Sequence, residues 1–109
     1  MISWEDFEKI DMRVGTVIEV NDFPAAKKPA YQLTIDFGKE GIKKSSAQIT
    51  ALYKKEDLLH KKLVAVINFP AKNIAGFMSE CLVLGVYNQH NEVVLLQPDD
   101  GVGNGDKVG

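Results

Sequence analysis

Cysteine occurs once, at Cys81, so no disulfide can form within the chain and a cysteine-based metal site lacks a second thiolate. Arginine also occurs once, at Arg13, and the only histidines, His60 and His90, sit in no cluster of ligand spacing. No G-x-S-x-G elbow surrounds Ser45, Ser46 or Ser79. The stretch GKEGIKKSS, Gly38–Ser46, has the outline of a phosphate loop. Ile42, however, stands where a glycine must precede the lysine, and the residues that follow read as strand rather than helix. No run approaches the roughly 18 apolar residues of a membrane span. The acidic start, MISWEDFEKID, lacks the basic-then-apolar order of an export signal. These absences point away from an enzyme, from a bound metal or cofactor and from membrane insertion, and leave the cytoplasm as the default location.

With 109 residues, 45% of them apolar and 26% charged, the chain has the make-up of one globular domain with its own core. Its net charge of -2 conceals a segregation. Residues 1–22 hold six acids against Lys9 and Arg13, and residues 73–109 hold five acids against Lys107. Between them, residues 23–72 hold ten lysines against four acids. Gathered on one face, those lysines would offer an anion a basic patch; scattered, each would simply be solvated.

Local patterns read as short strands with little helix. Ser3, with Asp6 three residues on, has the form of a capping box that opens a short helix to about Lys9, turning Trp4, Phe7 and Ile10 to one side. MRVGTVIEV alternates as a strand whose stronger apolar face is Val14, Thr16, Ile18 and Val20, with Gly15 marking a bulge or sharp bend. DFPAAKKPA is a loop, and YQLTIDFG is a strand with Tyr31, Leu33, Ile35 and Phe37 on one face. After the turn KEG comes a third, more polar strand, IKKSSAQI, with Lys44, Ser46 and Gln48 on one side and Lys43, Ser45 and Ala47 on the other. ALYKKEDLLH is helical in composition, its apolar contribution being Leu52, Leu58 and Leu59. KLVAVINF, LVLGVY and VVLLQP read as further strands, and the tail DDGVGNGDKVG holds too much Gly and Asp for helix or core. Three strands, a helix, then more strands is the order of an OB-fold. The expected fold is therefore mainly β: a five-stranded OB-fold barrel with a short N-terminal helix and one helix between strands 3 and 4.

The stretch NFPAKNIAGFMSECLVLG, Asn68–Gly85, exceeds the connection a hairpin needs. It mixes Lys72, Asn73, Ser79 and Glu80 with Ile74, Phe77 and Met78, and reads as a long loop across the barrel mouth. Its three apolar side chains either meet a partner or plug the barrel. This stretch, preceded by FEKIDMRVGTVIEV and KKSSAQI and followed by LLQPDDGVGNGDKVG, resembles the tRNA-binding-domain family over Phe7–Gly109, most of all its export-related CsaA chaperone branch.

The resemblance implies a homodimer without catalysis, cofactor or metal. The partner classes it implies are tRNA, unfolded or precursor polypeptides, and an aminoacyl-tRNA synthetase. Family members that bind tRNA carry proline, arginine, glycine and then S-x-x-M in the long loop. Here Lys72 falls in the basic stretch with Asn73 beside it, Ser79 takes the serine position and Leu82 replaces the methionine. Lysine lacks arginine's bidentate fork, and leucine lacks the adaptable thioether. The RNA- or peptide-binding residues implied are Arg13, Lys44, Ser46, Gln48, Lys72, Asn73, Phe77, Ser79 and Glu80. Phe77 is the one aromatic on offer for stacking, so a structured RNA would be read by shape and backbone. Arg13 either meets phosphate or pairs with Asp11, and the hydroxyls of SSAQ either face ligand or satisfy buried backbone groups. Residues 1–109 form a single domain whose ends, about 1–11 and 97–109, lie outside the five strands. Trp4, Phe7, Leu96 and Pro98 are accordingly expected in the dimer interface.

Overall fold

Alternation in YQLTIDFG places Leu33, Ile35 and Phe37 on one face, and all three are fully buried at the centre of the structure. The computed structural model describes all 109 residues. In chain order they form α1 (Trp4–Glu8), β1 (Met12–Asp22), β2 (Tyr31–Asp36), β3 (Ile42–Ala47), α2 (Lys55–Leu58) and β4 (Lys62–Val66). There follow β5 (Lys72–Ile74), β6 (Phe77–Ser79), β7 (Leu82–Val83), β8 (Gly85–Tyr87) and β9 (Val93–Leu95). Five strands make one antiparallel sheet in the order β3-β2-β1-β4-β7, curled into a nearly closed barrel, while β5–β6 and β8–β9 are separate hairpins. The expected mainly β barrel, with a short N-terminal helix and a helix between strands 3 and 4, is what the chain forms.

The long β1 serves both sides of the barrel, pairing β4 through Met12–Thr16 and β2 through Thr16–Asp22. Its inward face differs from the expected one. Ile18 is the extra residue of a bulge between Val17 and Glu19, so inward positions run Gly15, Val17 and then Val20. Val17 is fully buried and Ile18 is 41% exposed, which simple alternation had reversed. Gly15 is not the bulge. A Cβ there would lie 2.6 Å from both Ile35 and Phe37, so the missing side chain is what lets the Phe37 ring fill the barrel.

Three further elements depart from the sequence reading. The helix expected over Ala51–His60 shrinks to Lys55–Leu58, where only Leu58 is buried while Leu52 and Leu59 are exposed. His60 ends it with a left-handed backbone (φ 70°) and donates its N–H to Val17 C=O at 2.8 Å. LVLGVY is two strands, because after Leu82–Val83 pair with β4 the chain leaves the sheet and Gly85–Tyr87 pair with β9. The stretch 68–85 is no open loop, since it contains the β5–β6 hairpin.

The ends are tied to the barrel differently. At the front, Ser3 N–H reaches the Asp6 carboxylate and Asp6 N–H reaches Ser3 Oγ, each at 3.0 Å, as the capping box requires. The Ser3 amide holds the Asp6 carboxyl below its ordinary pKa. Yet α1 buries no side chain. At the back, the glycine-rich tail follows the β1 edge that β2 leaves free. Val14 N–H donates to Asp106, Gly105 N–H to Val14 and Val108 N–H to Met12, at 2.8–3.0 Å. No helix is long and apolar enough to cross a membrane.

Candidate nucleic-acid interface

The β5–β6 hairpin turns through Ala75 and Gly76, both at positive φ (48° and 87°), the geometry that matches strand twist in a two-residue turn. Asn73 Oδ1 accepts the Gly76 N–H at 2.8 Å and fixes that turn. Cross-strand register pairs Lys72 with Ser79 and Ile74 with Phe77 on one face, and Asn73 with Met78 on the other. Phe77 packs on the buried Phe23 of the 23–30 loop, ring centroids 5.4 Å apart. The hairpin is thus pinned to that loop by an aromatic pair.

The barrel closes between β3 and the β6–β7 segment without a continuous ladder. Glu80 N–H donates to Lys44 C=O at 2.7 Å, while a Glu80 carboxylate oxygen accepts the Lys44 N–H at 2.9 Å. Ser79 Oγ accepts the Ser46 N–H at 3.1 Å. Ser45, the one buried polar residue, donates its hydroxyl to Cys81 C=O at 2.9 Å. Ser79 and Glu80 therefore satisfy the Lys44 and Ser46 N–H groups on the edge of β3, donors that would otherwise stand free. Burial pushes the Cys81 thiol up to about 11, so it remains protonated and unreactive near neutral pH.

Above this seam lies a branched groove centred on Ser46. One arm, about 640 Å³, runs along the hairpin between Phe69, Lys72, Asn73, Ser79, Glu80 and Leu82. A second, about 430 Å³, lies under the 23–30 loop with Lys27, Lys28, Gln48 and Ile74. A third, about 370 Å³, runs past Gln48 and Leu82 to Tyr87 and Val93. Ser46 lines all three. Lys27, Lys28, Lys44 and Lys72 are all exposed, and the only acid in the lining, Glu80, is hydrogen-bonded to backbone. The structure thus draws exposed lysines from the 23–30 loop, β3 and β5, and those of the loop and β5 rim the groove itself.

Most of the residues expected to bind are brought together here. Ser46, Gln48, Lys72, Asn73, Ser79 and Glu80 line the groove, and Lys44 shares the outward face of β3 with Ser46. Phe77 does not line it, its ring being held against Phe23. Arg13 is engaged elsewhere. Its guanidinium donates to Asp11 at 2.6 Å and to Gly105 C=O at 3.0 Å, and lies 3.2 Å from Glu40. The hydrogen bond to Asp11 raises its pKa further. This clamp fastens the tail, and it contains the Asp11 pairing that the sequence offered as one of two alternatives. Asn68, in the NFP motif, is also structural: it accepts Asp11 N–H at 3.0 Å and donates to Lys9 C=O at 2.7 Å. Lys27, Lys28, Phe69 and Tyr87 were not foreseen as lining residues. The first two were visible as part of the central lysine excess, but nothing local placed their loop over β3. Of the residues expected in a dimer interface, Trp4 is 88% and Leu96 42% exposed, while Phe7 and Pro98 are half-buried. No three His, Cys, Asp or Glu side chains gather as a metal site would require.

Residues 12–107 match the family model described as "Putative tRNA binding domain". The chain belongs to this family. Within it, the domain is 55% identical to the CsaA chaperone protein of Picrophilus torridus, with a TM-score of 0.94 and both chains covered in full. The CsaA chaperone of Bacillus anthracis gives 50% identity and a TM-score of 0.94 over 100% of this chain and 99% of that one. The methionine–tRNA ligase of Pyrococcus horikoshii is 40% identical over 98% of this chain, which spans only 14% of that enzyme's length. This is a tRNA-binding domain of the CsaA type, related also to a segment of methionine–tRNA ligases.

Proposed function

We propose that the domain binds structured tRNA without catalysing a reaction on it, seating the phosphate backbone in the groove centred on Ser46. The observation that carries this reading is the convergence of Lys27, Lys28 and Lys72 around one groove with Ser46 at its centre, with Lys44 on the same face of β3 as Ser46, in a chain of net charge -2. Lysine gives charge without a bidentate grip, which fits recognition of backbone and shape rather than base sequence. In this reading the domain works in the cytoplasm as a homodimer. The apolar side chains of Trp4, Ile2 and Phe7 frame a depression of about 570 Å³ with Gly109, and a second copy would cover them together with Leu96 and Pro98. Two linked grooves then gain avidity.

Anisotropy of labelled bulk tRNA across salt concentrations tests it. Micromolar binding that falls steeply with salt, and further in Lys72→Ala, is the expected result. No binding at low salt would overturn it.

A second reading rests on the apolar side chains in the same lining. Phe69 is 55% and Leu82 49% exposed beside Ile74, a surface suited to unfolded or precursor polypeptides and to export-related chaperone use. The likeness to a segment of a methionine–tRNA ligase supports a third class of partner, an aminoacyl-tRNA synthetase acted on in trans. Capture of such an enzyme with the native protein is the expected outcome, and a pull-down without one counts against it.

A further inference from the structure

The groove holds an aromatic ring that the expected site did not include. In β8–β9, Tyr87 pairs with Val93 and Gly85 with Leu95, so these four share one face of the hairpin. That face looks toward the barrel, since Leu95 is buried in the core and Val93 packs against it. Tyr87 continues this face past the core boundary, where it is 70% exposed and lines one arm of the groove with Ser46, Gln48, Leu82 and Val93. Gly85 makes this possible: a Cβ there would collide with Val93, so only glycine lets β8 lie close enough against β9. Phe77, by contrast, is packed on Phe23, which leaves Tyr87 as the exposed ring in the arm where the Gln48 amide is also exposed.

Resting on the RNA reading of this groove, we propose that Tyr87 is a stacking platform for an unstacked base of the bound RNA, with Gln48 positioned to hydrogen-bond that base's edge. The ligand is then an RNA whose backbone bends enough to splay a base, not a continuous duplex. The physical case has two parts. The rim of the groove carries Lys27, Lys28 and Lys72 with no free acid, which favours a polyanion over a polypeptide. An aromatic face accepts any base, so it adds affinity without demanding sequence. Tyr87 would thus add to the phosphate contacts a preference for RNAs with an unpaired base.

The test compares wild type, Tyr87→Leu and Tyr87→Phe for binding to a tRNA and to a blunt RNA duplex of equal length, by anisotropy over a range of salt. Tyr87→Leu is expected to weaken tRNA binding roughly ten-fold. Its dependence on salt should be unchanged, because no cation is lost. Tyr87→Phe should bind as wild type does, and all three should hold the duplex equally. Equal losses on both RNAs, or no loss on tRNA, would overturn the proposal. So would a Tyr87→Leu variant that loses a carboxymethylated unfolded polypeptide yet keeps tRNA. Wild type that binds neither RNA at low salt would instead remove the RNA reading of the groove, and the proposal with it.

Discussion

The two hairpins that stand outside the barrel sheet are built alike and finished differently. β5–β6 turns Phe77 inward onto Phe23 and shows solvent a polar Asn73 beside the flexible Met78. β8–β9 also sends its anchors inward, but its other face is the cross-strand pair Val86–Val94, 54% and 42% exposed, continued by Leu96 at 42%. Paired β-branched side chains stabilise a sheet when something excludes water from them. One hairpin leaves a single apolar side chain, Met78, on its outer face, whereas the other, like α1 with its unburied Trp4, carries a contiguous apolar surface that a second copy would remove from water. Under the proposed function, the same scaffold would serve ligand or association according to which residue types the alternating positions hold.

Breaking each hairpin at its anchor should separate them. Leu95→Ala, at 6% exposure, removes a core residue and should cost about 2–5 kcal/mol in urea unfolding. Between the hairpins, Cys81 offers a pH handle. Its folded pKa, raised by burial to about 11, lies above its unfolded value, so its contribution is intact below about pH 8.5 and disappears as pH climbs to 11. The alkaline loss should reach about 2–3 kcal/mol and vanish in Cys81→Ala. Phe77→Ala should cost about 2 kcal/mol and accelerate amide exchange in residues 72–79 while leaving 85–95 protected. Equal loosening of both hairpins would show that they are one unit. Smaller still in fold stability, Val86→Lys with Val94→Lys should change unfolding of the single chain by less than about 0.5 kcal/mol per site. Light scattering should then give 12.1 kDa, where the proposed homodimer of the wild type would give twice that. Met78→Lys on the other hairpin should leave the mass alone. Lys72→Ala should leave stability unchanged and lower the salt slope of tRNA binding by about one.

Much of this was legible in local patterns. The capping box at Ser3–Asp6, the buried face of β2 and the sidedness of β3, with Ser45 inward and Lys44, Ser46 and Gln48 outward, all follow from positions three or two residues apart. Other features were not. Ile18 read as core and Val17 as surface until the bulge exchanged them, because a bulge is a property of two strands and not of one. Ser79 and Glu80 line the groove, but their hydrogen bonds to a β3 edge more than thirty residues away, at Ser46 and Lys44, left no mark in the local sequence. Tyr87 was hidden inside an apparent six-residue strand whose break after β7 only the pairing with β9 reveals.

By itself, the sequence determined strands β1 to β4 and β9, their inward faces wherever no bulge intervened, the lysine-rich middle and the motifs that mark the family. Those depend on steric and hydrophobic preferences acting over a few residues. Tertiary structure decided which groups are left free to meet a ligand. Arg13 became a clamp on Gly105, 92 residues on, while Lys27, Lys28, Ser46, Lys72 and Tyr87 met around one groove. A polar side chain hydrogen-bonds the nearest unsatisfied group in space, and only the closed barrel sets which group that is.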